Sequence, residues 1–142
     1  MTLFWGKAFR GTVLCGLLLA VEPVRAEYRR IQLKVYGLDC ELCARGVSAS
    51  IHRMAGVRSV EVSLKTGILG IELTPGNTFK MSDLRNRIRE NGFRPMEASV
   101  TAVGKFNGSK FEVLGTGESY DAVPEGKGNN DDAELTFQIP AH

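Results

Sequence analysis

The sequence has little of what enzyme active sites are built from. Histidine occurs twice, at His52 and at the terminal His142, too far apart to form the helix-borne pair that holds a catalytic zinc. No Ser-His-Asp set and no phosphate-binding glycine loop is present, and the one tryptophan, Trp5, lies near the amino terminus. Nothing here argues for an enzyme. Strong charge of either sign is missing too: 18 Lys/Arg against 16 Asp/Glu leave a formal +2 at neutral pH. Residues 27–97 carry a mild basic excess and residues 98–142 an acidic excess of the same size. That dispersed bias is no nucleic-acid footprint, and two solvated surfaces of opposite sign account for it.

Long apolar runs are absent as well. The longest, "TVLCGLLLAV" from Thr12 to Val21, falls short of the roughly 20 residues that a membrane helix needs. Lys7 and Arg10 precede it with no acid among them, and Pro23, Val24, Arg25 and Ala26 follow in the manner of a cleavage region. This is the layout of a secretory signal peptide. Residues 1–26 are therefore expected to be removed, leaving an exported chain, periplasmic or extracellular, with no stable membrane span. Leu14 before Cys15 is not the small residue that a lipoprotein requires, so Cys15 leaves with the leader. Cys40 and Cys43 are then the only cysteines, with no other intrachain partner.

What remains is patterned. Ile31, Leu33 and Val35 alternate with polar residues up to Tyr36, the period of a half-buried strand. From about Glu41 to Met54 the period changes, with Cys43, Val47, Ile51 and Met54 on one helical stripe and Gly56 as a terminator. Val60, Val62 and Leu64, then Leu69, Ile71 and Leu73, alternate on either side of a Gly-containing turn, which predicts a hairpin. A second helix follows, with Leu84 and Ile88 inward and Arg85, Arg87 and Arg89 in water, closed by Gly92. "FRPMEASVTAV" reads as another strand, with Pro95 at its start or at a sheet edge. The order βαββαβ is the split arrangement of ferredoxin-like α+β folds: an antiparallel sheet with two helices on one face. Residues 27–103 form that domain. Residues 104–142 form a short β-rich or partly disordered extension, with a hairpin signal at Asn107-Gly108, a polar loop at 125–132 and a last strand in "AELTFQIP".

The chemistry centres on "GLDCELC" at the junction of the first strand and helix. Thiolates are the reactive form of cysteine, and a helix amino terminus favours negative charge. Two thiolates at this spacing converge on one soft ion at about 2.3 Å each. The same spacing serves thiol–disulfide exchange. Beside the pair, Asp39 offers either a hard oxygen donor or a helix N-cap. His52 points off the apolar stripe and is expected on the surface, whereas Met54, Met81 and Met96 are expected to pack.

"GLDCELC", followed by "GVRSVEVSLKTGILGIEL" and "LRNRIRENGF", resembles the heavy-metal-associated domain of copper chaperones, mercury-binding periplasmic proteins and the amino-terminal modules of metal-pumping ATPases. The resemblance spans residues 30 to 100 and implies the same βαββαβ fold, with a metal held by Cys40 and Cys43. Two positions depart from the family pattern. Leu38 replaces the usual methionine, and Phe93 stands where relatives often carry tyrosine or lysine, so neither offers sulfur, a hydrogen bond or charge. The D-C-x-x-C form, with Asp39 as a third donor, favours divalent ions over monovalent copper. The resemblance implies a non-catalytic carrier or scavenger of one soft ion, copper(I), mercury(II), zinc or cadmium, which it passes by ligand exchange to a membrane metal transporter or a sensor. The alternative is an extracytoplasmic thiol–disulfide exchange protein using the same pair.

Overall fold

A computed structural model describes residues 27–113, 115–121 and 133–141. The leader with Cys15, the polar loop at 125–132 and His142 lie outside the described residues. The chain runs β1 (Tyr28–Tyr36), α1 (Glu41–His52), β2 (Val57–Ser63), β3 (Ile68–Leu73), α2 (Met81–Glu90), β4 (Arg94–Asn107), β5 (Lys110–Val113), β6 (Glu118–Asp121) and β7 (Ala133–Ile139). The first six elements keep the expected order, and the antiparallel sheet is laid out β2-β3-β1-β4. β1 is central, with Ile31 opposite Ile71 of β3 and Val100 of β4.

Alternation does what the sequence implies. Ile31, Leu33 and Val35 of β1, Leu69, Ile71 and Leu73 of β3, and Ala98, Val100 and Ala102 of β4 are buried on one face. Val47 and Ile51 of α1 and Leu84 and Ile88 of α2 join them in a single cluster. Each such side chain contributes about 1.5–3 kcal/mol on leaving water. α2 ends where Gly92 takes φ +87°, a left-handed cap that lets the Phe93 amide reach the Ile88 carbonyl at 3.1 Å. Phe93 is thereby delivered beside Gly37, at the cysteine end of the sheet.

The extension is built into the sheet. β4 turns at Asn107-Gly108 into β5, as the hairpin signal implied, and β5 pairs with β6. β7 lies along the remaining edge of β4, with Phe137 opposite Val100 and Ile139 opposite Ala98. Phe111, Val113, Phe137 and Ile139 enter the main core. No helix among the described residues is long and apolar enough to cross a membrane.

Two expectations are corrected. β2 ends at Ser63, so Leu64, read as an inward strand position, lies beyond the ladder and is exposed. Arg85, read as wet, is only 6% exposed. The residue after β7 covers it, and its Nη2 donates to the Pro140 carbonyl at 3.0 Å. Helical periodicity in α2 placed Arg85 beside the apolar stripe, but only the distant strand decided that this flank would be covered.

Candidate functional site

The β1–α1 junction holds the site. Leu38 is buried and anchors the loop from below, Asp39 is exposed, and Cys40 and Cys43 are half-buried. Cys40 has the extended conformation of an N-cap, φ −115° and ψ 140°, and its sulfur accepts the Cys43 amide at 3.0 Å. The Ala44 amide closes the first helical turn on the Cys40 carbonyl at 2.9 Å. The N-cap is thus Cys40 itself, which removes one of the two roles open to Asp39, that of the helix cap. The Asp39 carboxylate makes no hydrogen bond among the described residues, although it adjoins Cys40 in the chain. Sulfur has taken the place of the usual capping oxygen, so the amide donors that stabilise an anion point at Cys40.

Cys40 and Cys43 are joined as a disulfide, with their Cα atoms 5.2 Å apart. One turn of α1 suffices to bring both sulfurs to the same place. Their surroundings differ, because Cys43 packs partly against the core while the Cys40 sulfur caps the helix. Glu41 places a negative charge in that turn, and Arg45 pairs with it at 2.6 Å on the surface, which leaves the local charge balanced. Among the described residues no group of three or more His, Cys, Asp or Glu side chains gathers where an ion could be held. His52 is exposed at the other end of α1, as expected. Reduced, the pair would offer two thiolates one helical turn apart to a soft ion. As a disulfide, the pair can instead accept two electrons from a dithiol.

A second polar centre, at the opposite end of β1, was not foreseen. Tyr28 is fully buried and donates its hydroxyl to Glu118 of β6, with the Tyr120 hydroxyl 3.0 Å away. Glu118 also accepts the Met81 and Ser82 amides, each at 2.9 Å, and so caps α2, whose own N-cap residue Lys80 has no side-chain cap bond. Burial, and then the bond to Glu118, push the Tyr28 phenol far above its ordinary range. Burial pushes Tyr120 up to about 12. Arg85 is held below its usual value by burial and then by Arg89. No local pattern announces a cap supplied from another strand, so no sequence signal for this centre existed.

Among solved structures, the chain is similar to a copper binding domain from HMA7, a P-type ATPase, with 28% identity over 51% of this chain and 92% of that one at a TM-score of 0.43. It is similar to oxidized MerP from Ralstonia metallidurans CH34, with 23% identity over 51% and 96% at 0.44. It is also similar to the yeast copper transporter domain Ccc2a, with 22% identity over 47% and 90% at 0.44. No curated protein matches the chain. The family model of the heavy-metal-associated domain matches residues 32–94, a span that takes in the strand, the cysteine turn, both helices and the hairpin. That span carries Cys40 and Cys43, so this part of the chain is similar to heavy-metal-associated domains.

Proposed function

We propose that the protein is an exported, non-catalytic carrier of one soft metal ion, held between the thiolates of Cys40 and Cys43 and surrendered by ligand exchange. The observation that carries this reading is that one helical turn brings both half-buried sulfurs together at a helix amino terminus, within the span matched by the heavy-metal-associated family model. Loading begins from the disulfide and requires its two-electron reduction by a dithiol reductant, which is itself oxidised to a disulfide. The two thiols formed then release their protons on binding the ion. Cys40 is the leading ligand, since the Cys43 amide stabilises its charge. Two thiolates leave a d¹⁰ ion under-coordinated, so an incoming thiolate can bind before the first one leaves.

The recipient is a membrane metal transporter or a sensor. Its docking is supported by four exposed apolar residues, Tyr36, Leu42, Leu64 and Ile68, with Leu42 81% exposed between the two cysteines. Strand pairing brings Ile68 to the Lys34 level of β1 and Ser63 to the Ile68 level of β3, so all four lie at the cysteine end. Asp39, free of any capping role, is available to supply an oxygen donor and biases the site toward a divalent ion such as zinc, cadmium or lead over copper(I). Competition titrations under reducing conditions test this. Asp39→Ala should weaken cadmium binding several-fold more than copper(I) binding, and equal effects on both ions would remove Asp39 from the site.

The disulfide itself favours a second reading, thiol–disulfide exchange with a client protein. Mixing a small amount of the oxidised protein with excess reduced dithiol peptide and glutathione disulfide as the terminal oxidant separates the two readings. Many equivalents of peptide disulfide formed per protein, well above the protein-free rate, would favour the exchanger, whereas one equivalent favours the carrier.

A further inference from the structure

The extension closes one side of the sheet and leaves the other open. β7 covers the outer edge of β4, whereas β2, at the far end of the strand order, pairs only with β3 among the described residues. From Ser59 to Ser63 β2 keeps an unbroken register with β3, and a register shift between Val57 and Ser59 ends the regular edge. A straight edge of this kind presents a row of amides and carbonyls to any extended chain alongside. Beside it, α1 and β2 enclose a groove of about 720 Å³, whose lining includes Ala44, Ser48, Val62 and Leu64. Glu41, Arg45 and Arg53 line it as well. Arg45 is already paired with Glu41. Arg53, at the C-cap of α1, has no ion pair or side-chain hydrogen bond among the described residues.

We propose that the β2 edge and the α1/β2 groove form a docking site for an extended acidic segment of a partner protein, which adds to the sheet as a further strand. Backbone pairing along Ser59–Ser63 supplies the register. One aliphatic side chain of the segment enters the groove between Ser48 and Val62. A carboxylate two residues away, on the same face of the added strand, meets Arg53. Strand addition uses main-chain hydrogen bonds for affinity and alternate side chains for selectivity. The uncommitted arginine selects acid over base. The surface borders the thiol pair and shares Leu64 with the apolar patch at the cysteine end, but it uses neither sulfur, so docking here does not require bound metal.

The probe is an acetylated and amidated peptide, Thr-Glu-Thr-Leu-Thr-Glu-Thr, titrated into the isotopically labelled mature chain and followed by amide chemical shifts. Shift changes are expected at Ala44, Ser48 and residues 59–64, with alternate β2 amides gaining exchange protection. The counterpart with glutamine for both glutamates, and the Arg53→Ala chain, should each bind about threefold to fivefold more weakly, the scale of one exposed ion pair. A peptide N-methylated at alternate residues should not bind. The proposal is overturned by an absence of shift changes at millimolar peptide, by equal binding of the glutamine or N-methylated peptide, or by sedimentation showing that two copies of this chain occupy the β2 edge instead. Repeating the titration with the Cys40→Ser/Cys43→Ser chain keeps the outcome distinct from that of the metal-carrier reading, because peptide binding should be unchanged.

Discussion

The Tyr28 hydroxyl donates to Glu118, ninety residues further along the chain, and so ties the first strand of the βαββαβ unit to the strands that follow it. The same carboxylate caps α2 through the Met81 and Ser82 amides. Glu118→Ala removes that cap and one acceptor of a buried hydroxyl, at a cost of about 2 kcal/mol. Urea unfolding should show a lower midpoint with an unchanged slope. A variant as stable as the parent would mean that the contact is incidental.

Stability should fall in alkali for a stated reason. Burial holds the Tyr28 phenol protonated in the folded chain, whereas in the unfolded chain it ionises near pH 10. Above that pH the unfolded state binds fewer protons, so stability declines by up to about 1.4 kcal/mol per pH unit per tyrosine. Tyr120 adds to the decline only up to about pH 12. Tyr28→Phe should flatten the curve by one tyrosine's share, as measured by urea midpoints between neutral pH and pH 11.

Arg85 is buried and its Nη1 has no partner among the described residues. A buried charge without a counter-charge is costly, and an apolar side chain of similar length can replace it at little or no loss. Arg85→Met should leave stability within about 1 kcal/mol of the parent, or raise it. A loss of several kcal/mol would show that the bond to the Pro140 carbonyl is the dominant contribution.

Gly104 marks where β4 leaves the first sheet partner for the second. A methyl group there would lie 2.5 Å from the Glu112 carbonyl oxygen and 2.6 Å from the Phe111 ring. Gly104→Ala should therefore cost about 3 kcal/mol, since neither backbone nor packed ring can move aside freely. Thermal unfolding with intact metal binding below the transition would confirm that the damage is confined to the bend.

Most of the βαββαβ unit was legible because its signals are local. Period-two alternation placed Ile31, Leu33 and Val35, helical spacing placed Val47 and Ile51, and Gly92 marked a helix end. The hairpin at Asn107-Gly108 was readable for the same reason. What escaped was set at a distance. Arg85 is buried by Pro140 and α2 is capped by Glu118, and no window of neighbouring residues contains either relationship. At the cysteines, the sequence showed the pair but not which atom caps the helix. An acidic residue before the turn is the usual choice, and only the backbone angles of Cys40 show that sulfur fills that place.

The central claim is that Cys40 and Cys43, once reduced, form the one tight soft-metal site. Cadmium titration of a single preparation, split into oxidised and dithiol-reduced portions with the reductant then removed, tests it by the absorbance of the sulfur–cadmium bond. The account predicts one equivalent bound by the reduced chain, none by the oxidised chain and none by reduced Cys40→Ser/Cys43→Ser. One tight equivalent on the oxidised chain or on the double variant would contradict it.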